Sequence, residues 1–592
     1  MNKIRSKEKI ILIIALIAVI ITVIGSITYA MWIRSYEQTT SNLVSTGCFE
    51  LTFSEGDEIS LDNAFPMTYK EGMKTAPYTF TLSNECNINA EYQINLEVLD
   101  ITMAIWDING ALNRNFFELE EEVDPTINDA VNAYKLKQGV IEAGETVTYD
   151  LRLWLSEQVY NNDVSSQVFE SKITIIATPT TKKSLGIEPL VLGSPNMLTF
   201  NDVINVGDGY VVVGNTLYWD WGEEGNPKAA TIRKYDKDGE VIWSSTYNYE
   251  KKVFFNSIIE ADGGYVVIGD LRKGNDGTTG VIAKYDTTGN LLWDDTVESD
   301  SDVYFNSVIE VSDGYIVAVT SDGNDGDIVG NKGYNDGILL KYDKSGNRVW
   351  QKHFGGSDYD FFSAIIKESD GFVVLGAAFS ENGDIIDNSA GYGILVKYNF
   401  AGNIIWQKHF GGEGGDNYHS IIKATDGYII LGYDYTNESD AQIVKCDFSG
   451  NELWRQSLSG FDHPKFKSVI EVSDGYVVVG YYAPEDYDAI IVKYDFSGNL
   501  LWSKTFGRDY NVEYASVIEL DGNYIAIGSA LLRDGGFTGK SIYRDGVLVK
   551  YDADGNVIYW ETIGTSGVDE FYKTIIDGNK LILVGNTNNS RD

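Results

Sequence analysis

The loop Asp322-Gly323-Asn324-Asp325-Gly326-Asp327 concentrates oxygen-bearing side chains in a short stretch. Asp322, Asn324, Asp325 and Asp327 are hard oxygen donors of the kind that calcium gathers in numbers. The loop lacks the terminal Glu of the helix-loop-helix calcium pattern, and its Asp-Gly and Asn-Asp steps serve equally well as turn formers. The sequence requires no cofactor, and calcium is the one metal this loop would suit. A second set of candidates is aromatic: Tyr218, Trp219 and Trp221, then Tyr433 and Tyr435, then Tyr481 and Tyr482. Amphipathic rings of this sort make platforms for sugars or protein partners, and they also pack well against neighbouring loops. Catalytic signals are weak. The four histidines, His353, His409, His419 and His463, show no zinc-ligand spacing. No G-x-S-x-G elbow or phosphate-cradling glycine loop stands in a suitable context. Paired carboxylates are plentiful, so carbohydrate hydrolysis is the enzymatic chemistry left open.

These residues belong to a 592-residue chain carrying 46 basic and 87 acidic side chains, a net charge of −41. Nucleic-acid binding needs a basic footprint, so that class of partner is excluded. The 60 glycines against 9 prolines suit an all-β protein with many tight turns. Of the three cysteines, Cys48 and Cys86 share the N-terminal region and are placed to form a disulfide in an oxidising compartment. Cys446 stands where other repeats carry Tyr and is expected to be a buried small hydrophobe.

Lys3, Arg5, Lys7 and Lys9 precede an uncharged, mostly apolar run from Ile10 to Trp32, long enough to span a bilayer as a helix. Tyr29 and Trp32 lie at its far end, and only Arg34 is basic just beyond. The charge asymmetry puts the N-terminus in the cytoplasm and the rest outside. Residues 1–36 therefore read as a cytoplasmic N-terminus and single-pass anchor. If the segment is instead cleaved as a signal, the protein is secreted.

Residues 37–181 show period-two alternation, as in Tyr78-Thr79-Phe80-Thr81-Leu82, Tyr92 to Val98, Thr146 to Leu155 and Ser171 to Ile176. Several such strands with one buried face predict a small β-sandwich. Asp129 to Lys137 reads as a helical insertion, and Thr178 to Ser184 as a linker. The segments Pro77 to Asn84 with Cys86 and Tyr149 to Trp154 resemble the immunoglobulin-like ectodomains that follow the anchor in Gram-positive surface proteins. That resemblance implies a spacer or assembly module.

From about residue 199 the chain repeats itself. The clearest element is K-Y-D-x-x-G-N-x-x-W, as at Lys493-Tyr494-Asp495, Gly498-Asn499 and Trp502. Its Lys recurs at 234, 284, 341, 397, 445, 493 and 550, and an aromatic follows nine positions later at 243, 293, 350, 406, 454, 502 and 559. Seven copies at one blade position predict a packing or ion-pair role for the Lys. His353 and His409 share a position where other copies have Thr or Ser, which predicts a surface site. Each copy is preceded by a run like Ser468 to Glu471, an Asp-Gly, and a run like Tyr476 to Gly480. Four short strands per unit, here termed a to d, define a propeller blade. A partial eighth copy ends the chain at Thr574 to Gly585, and Pro189 to Gly193 precedes the first copy as a candidate strand d. The expected fold is thus all-β: an N-terminal transmembrane helix, a β-sandwich, and a β-propeller over 182–592. Eight four-stranded blades, the last closed by both ends of the domain, are expected, with seven as the alternative.

The repeats resemble those of bacterial secreted and surface propeller proteins, on Gly326 to Gly333, Phe354-Gly355-Gly356 and the K-Y-D-x-x-G-N-x-x-W elements. The resemblance implies fold and export but no single activity. Nearly all length variation falls between strands b and c, as Gly480 to Lys493 against Gly376 to Lys397 shows. Variable loops on a rigid scaffold carry binding. The b–c and d–a connections emerge on one face, where Asp300, Asp302, Asp358, Asp360, Asp416, Asp462, Asp509 and Asp569 add acids. The expected function is cell-surface binding or adhesion through this face, to an extracellular glycan or protein, with the membrane as the second partner. A carbohydrate-active enzyme and a structural envelope protein are the alternatives.

Overall fold

The computed structural model describes residues 34–37, 51–54, 67, 69–85, 88–101, 108–113, 115–119, 122–127, 130–155, 169–180, 184–192, 198–216, 229–248, 252–272, 277–386, 392–411, 417–434, 440–483, 487–507, 511–531, 544–564 and 568–588. The chain divides into two compact units at Gly186/Ile187. No described helix is long and apolar enough to cross a membrane. The anchor expected over Ile10–Trp32 and the Cys48–Cys86 pair lie outside the described residues.

The first unit is a sandwich of two five-stranded sheets. One has the order Arg34–Glu37, Phe169–Thr180, Asn89–Ile101, Asn132–Ile141, Glu122–Val123; the other Leu51–Ser54, Tyr78–Asn84, Thr146–Leu155, Ile108–Leu112, Asn115–Glu118. The alternation read from the sequence is the alternation of burial: along Tyr78–Asn84 every second residue is buried. Phe80, Leu82, Tyr149 and Leu151 share one core with Ile94, Leu96, Val98, Ile173 and Ile175 of the opposite sheet. Two expectations are corrected. The stretch expected to be helical, Asp129 to Lys137, overlaps the strand Asn132–Ile141, paired with Asn89–Ile101. Its Tyr, Val and Ile and the pairing partner outweigh a helical-looking local pattern. The last strand also runs to Thr180, past the start of the expected linker.

The second unit is the propeller. Seven four-stranded antiparallel blades follow in order, each in the sheet order a-b-c-d. Blade 1 comprises Leu198–Asn205, Gly209–Thr216, Ala230–Asp236 and Val241–Tyr247; blades 2 to 5 span residues 252–297, 303–354, 360–410 and 417–458; blade 6 comprises Lys465–Val472, Gly475–Tyr482, Asp488–Asp495 and Leu500–Phe506; blade 7 spans 512–563. Strands b and c are buried along nearly their whole length because neighbouring blades cover both faces. The a-strands converge on the centre: Asn201 Nδ2 donates to Phe255 O at 2.7 Å, Asn306 Nδ2 to Phe362 O at 2.6 Å, and Ser363 Oγ to Tyr418 O at 2.8 Å, each reaching the a-strand of the next blade.

The eighth blade is built from both ends of the unit. Val568–Asp577 pairs antiparallel with Lys580–Asn588, and Glu188–Leu192 adds to the other edge of Lys580–Asn588. This segment was expected as strand d of a four-stranded blade. It runs parallel to strand b, as a strand d does, but lies directly beside it in the place of strand c, so the blade has three described strands. Leu190, Leu192, Ile582 and Val584 join Phe200, Tyr210 and Tyr235 of blade 1 in one core, which closes the ring. Tyr210 and Lys237 of blade 1 both bond Asp577, at 2.7 and 2.6 Å, across the same seam.

Candidate functional site

The repeated motif is a device for holding blades together. In the c–d turn, Asp343 Oδ1 accepts from the backbone N–H of Ser345 and Asn347, and Asn347 Nδ2 donates to Oδ2. The turn needs a left-handed residue, supplied by Gly346 at φ 86°. Each Trp then reaches the next blade: Trp454 Nε1 donates to Phe496 O at 3.0 Å, and a Cβ on Gly498 would lie 2.6 Å from its ring. Where blade 8 lacks a Trp, Leu190 rests against Gly239 of blade 1 instead. The strand-c lysines pair with the Asp of the a–b turn, as in Lys341–Asp313 at 2.6 Å, Lys397–Asp370 at 2.6 Å and Lys493–Asp474 at 2.8 Å. The uniform face of the propeller is therefore occupied by structural bonds.

The other face, where b–c and d–a loops emerge, is held by carboxylates. Asp360 is fully buried at the start of its strand a. It accepts from Gly356 N, Phe379 N, Ser380 N and Ser380 Oγ, stitching the d–a loop to the b–c loop. Burial raises its pKa against these bonds. In the 322–327 loop, Asp325 Oδ1 accepts from Asp300 N at 2.7 Å and Ser299 Oγ at 3.0 Å. Asp327 accepts from Glu298 N at 3.0 Å and pairs with Arg348 at 2.8 Å. Asn324 Oδ1 caps Gly330 N, and Asp322 is exposed. The oxygens of Asp325 and Asp327 that calcium would use thus face N–H and O–H donors. Among the described residues no three His, Cys, Asp or Glu side chains converge on a point that could hold a metal ion.

The histidine expectation needs correction at both positions, and at His409 both ring nitrogens are buried. His353 has a side chain only 10% exposed, and its Nδ1 meets Asn331 Oδ1 at 2.9 Å, so the blade-3 b–c loop covers it. Cys446 is buried and free, as its position among tyrosines suggested.

Of the aromatic candidates, Tyr218, Trp219, Trp221 and Tyr435 lie outside the described residues. Tyr433, Tyr481 and Tyr482 stand at the ends of their b-strands on the loop face. Tyr482 OH donates to Asp488 at 2.9 Å and its ring meets Phe461, so it is partly a packing residue. Lys465 Nζ sits 5.5 Å from the Tyr433 ring centre, and Lys467 Nζ 5.4 Å from that of Tyr481. Tyr487, 39% exposed, meets Tyr481 edge to face.

Sequence reasoning missed a second aromatic pair. Tyr334 of a b–c loop and Tyr359 of the following d–a loop stack with centroids 5.0 Å apart and planes 11° from parallel. They are 62% and 50% exposed. Asn335 and Tyr359 also form an isolated β-bridge, which fixes the two loops in register. The length variation of b–c loops pointed to this face but not to a pair contributed by two different connections.

Three ionisable features stand at the loop-face ends of their strands. Arg544 bridges Glu513 at 2.9 Å and Glu570 at 3.5 Å. Asp270 is half-buried and accepts from Asn256 Nδ2 at 2.7 Å, and desolvation pushes its carboxyl up to about 6. His419 projects from its strand a, where desolvation and then the Lys467 and Lys465 charges push its pKa down to about 4, leaving it neutral at pH 7.

The architecture defines a β-propeller repeat protein. Residues 228–432, from the approach to strand c of blade 1 through strand b of blade 5, match the family model of the outer membrane protein assembly factor BamB. No curated protein matches the chain. Solved structures similar to it include a periplasmic gluconolactonase of Pseudomonas aeruginosa, at 11% identity over 63% of this chain and 99% of that one, TM-score 0.37. An apocarotenoid oxygenase of Synechocystis aligns at 10% identity over 70% and 93%, TM-score 0.31. A eukaryotic initiation factor aligns at 9% identity over 84% and 91%, TM-score 0.34.

Proposed function

We propose that this is an extracytoplasmic, membrane-anchored binding protein whose b–c/d–a loop face engages an extracellular glycan or protein, with the β-sandwich as spacer. The observation that carries the reading is the exposed Tyr334–Tyr359 stack, two parallel rings presented on that face. A solvent-facing aromatic pair held by loops is a natural bed for a pyranose ring or a partner's apolar side chain. The apolar run at residues 10–32 and the match to a BamB family model support the location outside the cytoplasm. The test is a glycan-array and surface-extract screen of the purified full chain beside its Tyr334→Ala/Tyr359→Ala variant. The reading expects a defined ligand class lost in the variant. Ligands retained at full strength by the variant would contradict it.

Hydrolysis of a carbohydrate at the channel mouth is the second reading. It is favoured by Asp270, a half-buried carboxyl pushed up to about 6 and so suited to proton donation. Release of reducing ends from a bound glycan, abolished by Asp270→Asn, would establish it.

A further inference from the structure

The loop face carries a pair of lysines in blade 6 that stands out in a chain of net charge −41. Lys465 and Lys467 lie at the start of strand a of blade 6, the end from which the d–a loops emerge. A β-bulge between Phe466 and Ser468 breaks the alternation there. The bulge recurs at the matching place in the a-strands of the other blades, between Phe255 and Ser257 or Phe305 and Ser307, for example. The bulged residue is Asn201, Asn256 or Asn306 in blades 1 to 3, and Asn201 and Asn306 hydrogen-bond to the next blade. In blade 6 the same place is held by a Lys that makes no such bond.

Neither ammonium group meets a carboxylate among the described residues. The nearby Glu513 is already engaged by Arg544 at 2.9 Å. The ammonium groups rest instead over tyrosine faces, Lys465 over Tyr433 and Lys467 over Tyr481. Cation–π contact fixes their positions without neutralising them. His419 is neutral beside them and offers hydrogen-bonding nitrogens without repelling a third charge. Tyr487 exposes a ring next to Tyr481.

We propose that Lys465, Lys467 and His419, with Tyr487 as the flanking ring, form a binding site for a saccharide carrying a single carboxylate. The two ammonium groups take the carboxylate as a charge-assisted pair, and the Tyr487 face packs on the C–H side of the sugar ring. The overall negative charge selects against polyanions, because a long chain of acids is repelled by the rest of the surface while one local carboxylate is not. This inference rests on the loop-face reading and names the chemistry of its ligand.

The test is a ligand-observed NMR titration of the full chain with four probes: cellobiouronate, its neutral parent cellobiose, acetate and inorganic phosphate. The proposal expects cellobiouronate to bind at least tenfold more tightly than either cellobiose or acetate. It expects affinity to fall at least tenfold in Lys465→Gln/Lys467→Gln and to weaken steadily with added salt. Lys465→Arg/Lys467→Arg should retain most of the binding, and the salt titration of the unaltered protein reads the charge dependence even if a variant fails to fold. Equal binding of cellobiouronate and cellobiose, full binding by the Gln variant, or tighter binding of inorganic phosphate would overturn the site. Loss of this site while other glycans still bind through Tyr334 and Tyr359 would leave the loop-face reading standing. No glycan or protein bound by any route would overturn both.

Discussion

At the residue scale, the most repeated side chains are structural and the functional candidates are the exceptions to the repeat. Trp454 illustrates the first kind: its indole bonds Phe496 O and packs on Gly498 of the next blade. Trp454→Ala is expected to cost about 2 kcal/mol in urea unfolding, since it removes the half-buried ring packed between blades. Gly498→Ala should also destabilise, because the residue sits at φ 83° and its new methyl group would meet that ring. A wild-type unfolding midpoint in either variant would contradict the latch. Asp270 is of the second kind. Its pKa is raised above the unfolded value of about 4, so its charge penalises the folded state as pH rises from about 4 through 6. Asp270→Asn should therefore stabilise the protein at pH 7.5 by about 2 kcal/mol and leave it unchanged at pH 4. Urea melts at the two pH values check this, and destabilisation at pH 7.5 would assign Asp270 a structural rather than a functional role.

At the element scale, the repeats were legible because blade strands are set by local pattern and fixed turns. The Lys-to-aromatic spacing is the cross-strand register itself, as Lys493↔Trp502 and Lys341↔Trp350 show. The segment at 188–192 was legible as a strand but not its neighbour, because pairing with Lys580–Asn588 is set by a partner nearly the whole propeller away. Asn132–Ile141 was misread for a related reason: its strand character comes from Asn89–Ile101 beside it. Ring closure makes a sharp prediction. Leu190→Ala should lower the unfolding free energy by roughly 2–4 kcal/mol, since Leu190 lies in the seam core against Gly239. An unchanged melting temperature would mean that blade 8 contributes nothing to stability. The c–d turns predict the acid limit. Asp286 is held down to about 2 by Asn290 and Thr288, and Asp343 and Asp495 are lowered by Asn347 and Asn499. Folded-state pKa values below the unfolded value contribute stability above about pH 4 that is lost as pH falls towards about 2. Thermal melts should show a steep fall across that window, and a flat profile would contradict the turn geometry.

At the scale of the whole molecule, the two faces of the propeller divide the labour. One is uniform and closed by Lys–Asp pairs, Asp-Asn turns and Trp latches; the other is variable and carries exposed rings, an acid held near pH 6 and two lysines that meet no carboxylate among the described residues. The choice of face was legible from loop lengths, since a rigid scaffold confines variation to the connections that can vary. The Tyr334–Tyr359 stack and the seating of Lys465 over Tyr433 were not, because each forms only when separate connections or blades are brought together. The central claim is that the variable face binds. Its most direct measurement is ligand affinity, determined by surface plasmon resonance, for three proteins: the full chain, Tyr334→Ala/Tyr359→Ala, and a control altered on the opposite face, Thr288→Ala/Ser497→Ala. The account predicts at least a tenfold loss in the first variant and less than twofold change in the control. Equal affinity in the loop-face variant, with loss in the control, would place binding on the other face and contradict it.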